Sequence, residues 1–228
     1  MCYSVMIEQD LKALELHFQA KPDEQAFNRY HQLSQQNPKT FRPLADHPRI
    51  YPYYFAPVVV MKDQNPTIIP MRYRLRPAGT EKEVPNQYNL YNARLDGLMN
   101  RQIWKKLFGK KHGLLAFQGF FEWVIDDKTK KKKVIYFHRN DKALITVPVL
   151  YDIWRAADES QGFASFAIIT GEPPIEVERA GHDRCPIPLD RSDWDSWLCP
   201  QGSSQQKLLT RLKGSEAQVL LQAEDAVP

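Results

Sequence analysis

The densest run of apolar and aromatic positions in the chain extends from Leu114 to Trp123, and it predicts a strand lying in a core. Shorter runs predict further strands around Val58–Met61, Val134–His138, Ala143–Leu150 and Ser165–Thr170. Between residues 9 and 36 the pattern changes to helical spacing in two pieces: Leu11, Leu14 and Phe18 share one face, and Phe27, Tyr30 and Leu33 share another. Pro22 followed by Asp23 and Glu24 fits a fresh helix start. A third helix is predicted over Leu95–Phe108, with Leu98, Ile103 and Leu107 inward and Asn92 just ahead of it as a capping candidate. Asp190–Leu198 reads as an N-capped helix burying Trp194 and Trp197. Leu208, Leu209 and Leu212 mark one last amphipathic stretch, and Val219–Leu221 a final strand or helix.

Polar positions interrupt this framework in telling ways. Glu122 is the one acid in the central run, between Phe121 and Trp123. A carboxyl group there must be paired, protonated, turned into a cleft or left facing water at a strand end. Arg72, Arg74 and Arg76 alternate along a predicted strand and so share one face, with Tyr73 and Leu75 on the other. Such a row suits phosphates, with Tyr73 stacking on a base if exposed; a solvated face with structural ion pairs is the alternative. The lysines of the Asp126–Lys133 turn face solvent and blunt a sheet edge. His138 alternates with apolar neighbours, which suits a structural role.

Composition narrows the function classes. The 228 residues suffice for one sizeable core, and a single domain is expected over 1–228, with a helical insertion at about 9–36 and an extension at about 200–228. A hydrophobic content of 43% and a charged content of 25% are ordinary for a globular protein. The formal charge of +4 allows a polyanionic partner without demanding one. No apolar run approaches the roughly 20 residues of a membrane span, and no secretory leader is recognisable. Cys2, Cys185 and Cys199 form neither a disulfide framework nor a zinc pattern. These features predict a cytoplasmic monomer with no metal and no organic cofactor. Cys185 and Cys199 read as small apolar fillers.

Cys2 is different. Cys is small enough for aminopeptidase removal of Met1, which would leave an α-amine and a thiol on adjacent carbons, with ordinary pKa values of about 7.7–8.0 and about 8.5. Both groups then have a nucleophilic fraction near neutral pH. A cysteine on a frayed end is the alternative.

Five pieces in order carry a resemblance: Met1-Cys2; Met71-Arg72-Tyr73-Arg74-Leu75; Asn92-Ala93-Arg94; Gly119-Phe120-Phe121-Glu122-Trp123; and Thr170-Gly171-Glu172 running to His182-Asp183-Arg184-Cys185-Pro186. Together they resemble the SRAP family, the SOS response-associated peptidase domain proteins, over roughly Met1 to Leu198. The resemblance implies an α+β fold with a β-barrel-like core flanked by helices. It implies single-stranded DNA containing abasic sites as the partner, covalent cross-linking to those sites, association with the nucleoid and contact with replication-fork proteins. It further implies Cys2 as nucleophile with Asn92, Glu122 and His182 as catalytic neighbours, and Arg94 and Arg184 on phosphates, alongside the Arg72, Tyr73 and Arg74 candidates. A cysteine peptidase or amidohydrolase and a non-covalent single-strand binder are the rival readings. The chain departs from the family pattern where Tyr3-Ser4 stands for Gly-Arg or a similar pair, where Tyr73-Arg74 stands for Trp-Gly, and where residues 9–36 lengthen the N-terminal region.

Overall fold

The computed structural model describes residues 4–42, 48–126 and 129–227. In chain order the elements are β1 (Ser4–Ile7), α1 (Leu11–Phe18), β2 (Lys21–Pro22), α2 (Glu24–Gln36), β3 (Arg49–Ile50), β4 (Phe55–Lys62), β5 (Asn65–Tyr73), β6 (Asn92–Arg94), α3 (Gln102–Lys105), β7 (His112–Ile125), β8 (Lys132–Arg139), β9 (Ile145–Arg155), β10 (Gly162–Gly171), α4 (Ile175–Arg179), β11 (Cys185–Pro186), α5 (Trp194–Leu198), α6 (Gln205–Ser215) and β12 (Leu221–Ala226). The strand pairings β4–β5, β5–β10, β10–β9, β9–β7 and β7–β4 close a ring, so the core is a five-stranded barrel. Only the β5–β10 seam is parallel. The fold is the expected α+β barrel with flanking helices.

Both faces of the barrel strands are covered. One alternate set, including Val58, Met71, Leu115, Val149 and Phe166, fills one core. The other set, including Val59, Ile68, Leu114, Leu150 and Ala167, packs against Leu14 and Phe18 of α1, Phe27 of α2, Trp104, Trp194, Trp197 and the leucines of α6. Two-sided burial explains why Phe55–Val60 reads as a continuous apolar run instead of an alternating one.

The first two helices form where helical spacing predicts them, although Asp23 and not Pro22 starts the second. Its carboxylate accepts from the Ala26 N–H at 3.0 Å, while Pro22 lies in β2. The predicted helix over Leu95–Phe108 is corrected: a 3₁₀ turn at Leu95–Gly97 and the four-residue α3 replace it. Leu98 and Leu107 are buried as expected, yet Asn92 belongs to a strand and does not cap a helix. The lysine-bearing β8 is no sheet edge, because β12 pairs along it and brings Asp225 to Lys133 and Glu224 to His138. Cys185 is buried as a filler, but Cys199 is exposed.

His112 opens β7 with its ring stacked on Trp197, 3.8 Å between centroids. Its Nε2 accepts from the Gly109 N–H at 2.7 Å, so the ring proton is on Nδ1, donated to the Trp197 carbonyl at 2.9 Å. Burial takes its pKa from the ordinary 6.5 to about 4, against the opposing pull of that carbonyl. The unfolded chain therefore takes up this proton first as pH falls. His112 contributes stability that is fully present above pH 6.5 and is lost on the way down to about 4, by up to about 3 kcal/mol. We expect His112→Phe to flatten the difference in urea midpoint between pH 6.5 and pH 4.5, at some cost at neutral pH from the unmatched Gly109 N–H.

Candidate active site

Beyond the barrel, the C-terminal half of β7 continues into an outlying sheet in the order β3–β1–β7–β8–β12. A bulge divides the two halves: Met6 pairs with Gly119, but Ile7 pairs with Phe117, leaving Gln118 over. Phe117 faces the core before the bulge, and Phe120 and Val124 face it after. The extra residue thus shifts the pleat by one and turns Glu122 inward, where it is 2% exposed, while Trp123 faces out. Gly119 is required here because a Cβ would collide with the Phe137 carbonyl and the Tyr136 ring.

The buried carboxyl group meets a histidine. His182, in the loop between α4 and β11, places Nε2 3.1 Å from Glu122 Oε2. Its Nδ1 lies 3.1 Å from the Arg184 carbonyl, which only accepts, so Nδ1 carries a hydrogen. His182 Nε2 and Glu122 Oε2 are then placed to hold one proton between them. Such a couple can give or take one proton with little movement of heavy atoms.

Asn92 is 3% exposed on β6, opposite Ile168 of β10, and the next pairs along, Arg94 with Thr170 and Thr170 with Pro186, lead to β11. The carboxyl end of β10 therefore gathers Asn92, Arg94 and the His182–Pro186 loop. Asp96, not anticipated from the sequence, joins the two arginines: Arg94 Nη2 donates to it at 2.6 Å and Arg184 Nη2 at 3.4 Å. Hydrogen bonding to Arg94 holds the Asp96 carboxyl below the usual range. The Asn92-Ala93-Arg94-Leu95-Asp96 spacing contained the signal. Cys185 lies in the same region, and burial, then the charges of Glu122 and Glu176, push its thiol far above the usual range. Its burial and raised pKa do not suit a nucleophile.

The expected arginine row is corrected. Arg72, Tyr73 and Arg74 are 2%, 0% and 1% exposed, so none of the three offers its side chain to a ligand. Tyr73 stacks on Phe166 inside the core. Arg72, Arg74 and Arg76 converge instead on Glu83, from the polar loop after β5, at 2.5, 3.2 and 3.4 Å. Aromatic rings complete the enclosure, with Phe163 4.4 Å from Arg72 and Trp154 3.4 Å from Arg76. The three arginines do converge, but not by strand alternation: β5 ends at Tyr73, Arg74 takes a left-handed φ of 86°, and Tyr73 and Leu75 enter different cores. Cys2 lies outside the described residues. The first described residue, Ser4, pairs with Phe121, the neighbour of Glu122.

A small α+β barrel carrying a buried acid–histidine couple, its acid next in sequence to the residue that pairs with the first described residue of the N-terminal strand, defines the class of protein. The chain belongs to the SRAP family, SOS response associated peptidase, which it matches over residues 1–225. It is 34% identical over 134 residues to the abasic site processing protein YMR114C of Saccharomyces cerevisiae, a stretch covering 56% of this chain and 34% of the yeast protein. It is 29% identical over 126 residues to the abasic site processing protein YobE of Bacillus subtilis, covering 55% of this chain and 56% of that one. The matched stretches thus span between a third and just over half of those relatives. A crystal structure of a Bacteroides thetaiotaomicron protein superposes with a TM-score of 0.75 at 17% identity, over 99% of this chain and 92% of that one, and shares the fold. Among the described residues no helix is long and apolar enough to cross a membrane.

Proposed function

We propose that the protein processes abasic sites in single-stranded DNA by forming a covalent thiazolidine with its N-terminal cysteine. The observation that carries this reading is the Glu122–His182 couple, buried one residue from the partner of Ser4. From Ser4, the two residues back to Cys2 span at most about 7 Å of chain, a reach compatible with attack beside the couple.

An abasic deoxyribose is mostly a closed hemiacetal. A proton held between Glu122 and His182 is suited to protonating the ring oxygen as the sugar opens, while the anomeric hydroxyl passes its own proton to solvent, from which the later loss of water recovers one. The α-amine of Cys2 adds to the aldehyde carbon and water leaves, giving an iminium; the thiol then adds to the same carbon and its proton passes to the couple. The sum is aldehyde plus aminothiol giving thiazolidine plus one water. Asn92 orients the amine or thiol, a proximity effect. Arg94 and Arg184 bind phosphates by exchanging the Asp96 carboxylate for the DNA backbone. The relatives named as abasic site processing proteins support this assignment of substrate.

Intact mass should confirm loss of Met1. Incubation with a single-stranded oligonucleotide carrying one abasic site should then give a denaturation-resistant band with the mass of protein plus DNA less one water. No adduct, accompanied by turnover of peptide or amide substrates, would replace this reading with a cysteine hydrolase. Glu122→Gln removes the titratable partner of His182 while keeping its size. It should slow adduct formation by about 10²–10⁴-fold, with affinity for intact single-stranded DNA unchanged. Single-turnover gels at saturating protein would show it, and an unchanged rate would remove Glu122 from the chemistry.

A further inference from the structure

The parallel seam of the barrel is short. β5 and β10 pair from Met71 with Ala164 to Tyr73 with Phe166, and the ladder stops there. The next residue back along β5 is Pro70, which has no N–H to offer. The residues before Ala164 on β10 are Phe163 and Gly162, and α2 lines the other side of the gap this leaves. The result is an open groove of about 180 Å³, with Phe55 and Phe163, 1% and 6% exposed, as its floor and Leu33 and Ile153 along its walls. Arg29 of α2 and Arg155 of β9 stand at its edge. Both are exposed, and neither pairs with an acidic side chain among the described residues. We propose that this groove is a docking site for an acidic linear peptide of a partner protein, which seats one large apolar side chain on the phenylalanine floor and sets carboxylates against Arg29 and Arg155.

Size, polarity and position select this occupant. Sites that enclose a small molecule run to roughly 300–1,000 Å³, whereas a cavity of about 150 Å³ takes one benzene-sized ring, so the groove suits a single side chain. Apart from the two arginines, Tyr30 is the only polar side chain among the described residues that line it, and its hydroxyl donates to the Arg42 carbonyl at 2.8 Å. The polar edge of a nucleobase would go unmatched there, which costs affinity, while an apolar side chain leaves nothing unpaired. The two cations decide the charge of what flanks that side chain, and complementary charge of this kind governs partner choice and encounter. Ala164 stands near the amino end of β10, whereas Asn92, Arg94 and the His182–Pro186 loop gather at its carboxyl end. From Ala164 to Thr170 the strand runs roughly 20 Å. Peptide and DNA therefore have separate sites, and a partner can hold the protein while the Glu122–His182 couple is occupied.

The probe is a phage-displayed library of random linear peptides, panned on the wild-type protein and counter-selected on a variant carrying both Arg29→Glu and Arg155→Glu. Enriched sequences should hold one bulky apolar residue with acidic residues on either side. Made as synthetic peptides, they should bind that variant about tenfold or more weakly than the wild type, since two surface pairs are lost and repulsion replaces them. Ala26→Phe fills the groove from α2 while keeping both arginines, and should weaken binding at least as much. If Ala26→Phe does not fold, Ile153→Asp serves in its place, because that side chain is 42% exposed on the opposite wall. No enrichment, enrichment of basic or uncharged sequences, or equal binding by wild type and charge-reversed variant overturns the proposal. So does binding that charge reversal weakens but the groove variant leaves unchanged, which would reduce the site to a surface charge contact. An intact single-stranded oligonucleotide should not displace the peptide; displacement, with weaker DNA binding by the charge-reversed variant, would assign the groove to DNA instead. That variant should form the abasic adduct at the wild-type rate. Failure of the wild type to form any adduct would sink the cross-linking reading alone and leave the peptide result standing.

Discussion

Replacing Cys2 by alanine is expected to reduce the denaturation-resistant adduct to background while leaving affinity for intact single-stranded DNA unchanged. The reason is in the two steps of ring closure. The alanine variant, once Met1 is removed, still has an α-amine and can form an iminium with the open aldehyde. Without a thiol on the adjacent carbon that iminium hydrolyses when the complex is denatured. Borohydride added before denaturation should therefore trap an adduct with the alanine variant. The wild-type adduct should persist without reductant. Cys2→Ser offers a hydroxyl, a poorer nucleophile than the thiol near neutral pH, and should give a weak or transient band. A stable, reductant-independent adduct from Cys2→Ala would rule out the thiazolidine mechanism outright.

The largest stability effect should come from Glu83, a residue remote from the chemistry. Its carboxylate is the acceptor shared by Arg72, Arg74 and Arg76, the first two almost wholly buried. Desolvation already works against the charge of Arg72, and the hydrogen bond and charge of Glu83 offset it. Glu83→Ala leaves three guanidiniums facing one another with no carboxylate between them. Breaking a buried pair costs about 3–5 kcal/mol, and because Glu83 itself is one-third exposed we expect about 2–4 kcal/mol. Arg74→Gly should cost less than Glu83→Ala. Arg74 has a φ of 86°, a left-handed conformation that glycine adopts freely, so the lost ion pair is partly offset by relief of about 1 kcal/mol of backbone strain. Urea denaturation with unchanged m-values would measure both. A Glu83→Ala midpoint equal to that of the wild type would show that the cluster contributes no net stability.

Much of the framework was readable from local pattern. The apolar run at Leu114–Trp123 lies within β7, and helical spacing located α1 and α2. The order of the five motifs pointed to the family, and offered Asn92, Glu122 and His182 as candidates, of which the structure brings Glu122 and His182 into contact. Local pattern failed where closure was needed. Alternation placed Arg72, Arg74 and Arg76 on one strand face, whereas β5 ends at Tyr73 and the three meet through a left-handed turn at Arg74. Nothing local revealed that Glu83 would fold back over them, so of the two readings, a phosphate-binding row or a solvated face with structural ion pairs, the ion pairs are present but buried. The Leu95–Phe108 stretch has helical spacing, yet burial of Leu98, Trp104 and Leu107 is reached with separate short turns. In both cases tertiary packing overrode a periodicity that was itself real.

The sequence by itself determined which side chains are apolar, which share a face, and that an acid stands within a hydrophobic strand. Those properties are local, set by residue chemistry and by the periods of strand and helix. Only the tertiary structure decided which way Glu122 points, because a bulge opposite β1 reverses the phase of β7. It alone paired Glu122 with His182, gathered three arginines on Glu83, and brought Arg49 to Ser4 across 45 residues of chain. Each of these depends on strand pairing between distant segments, and a buried charge can be satisfied by any suitable partner the fold brings near.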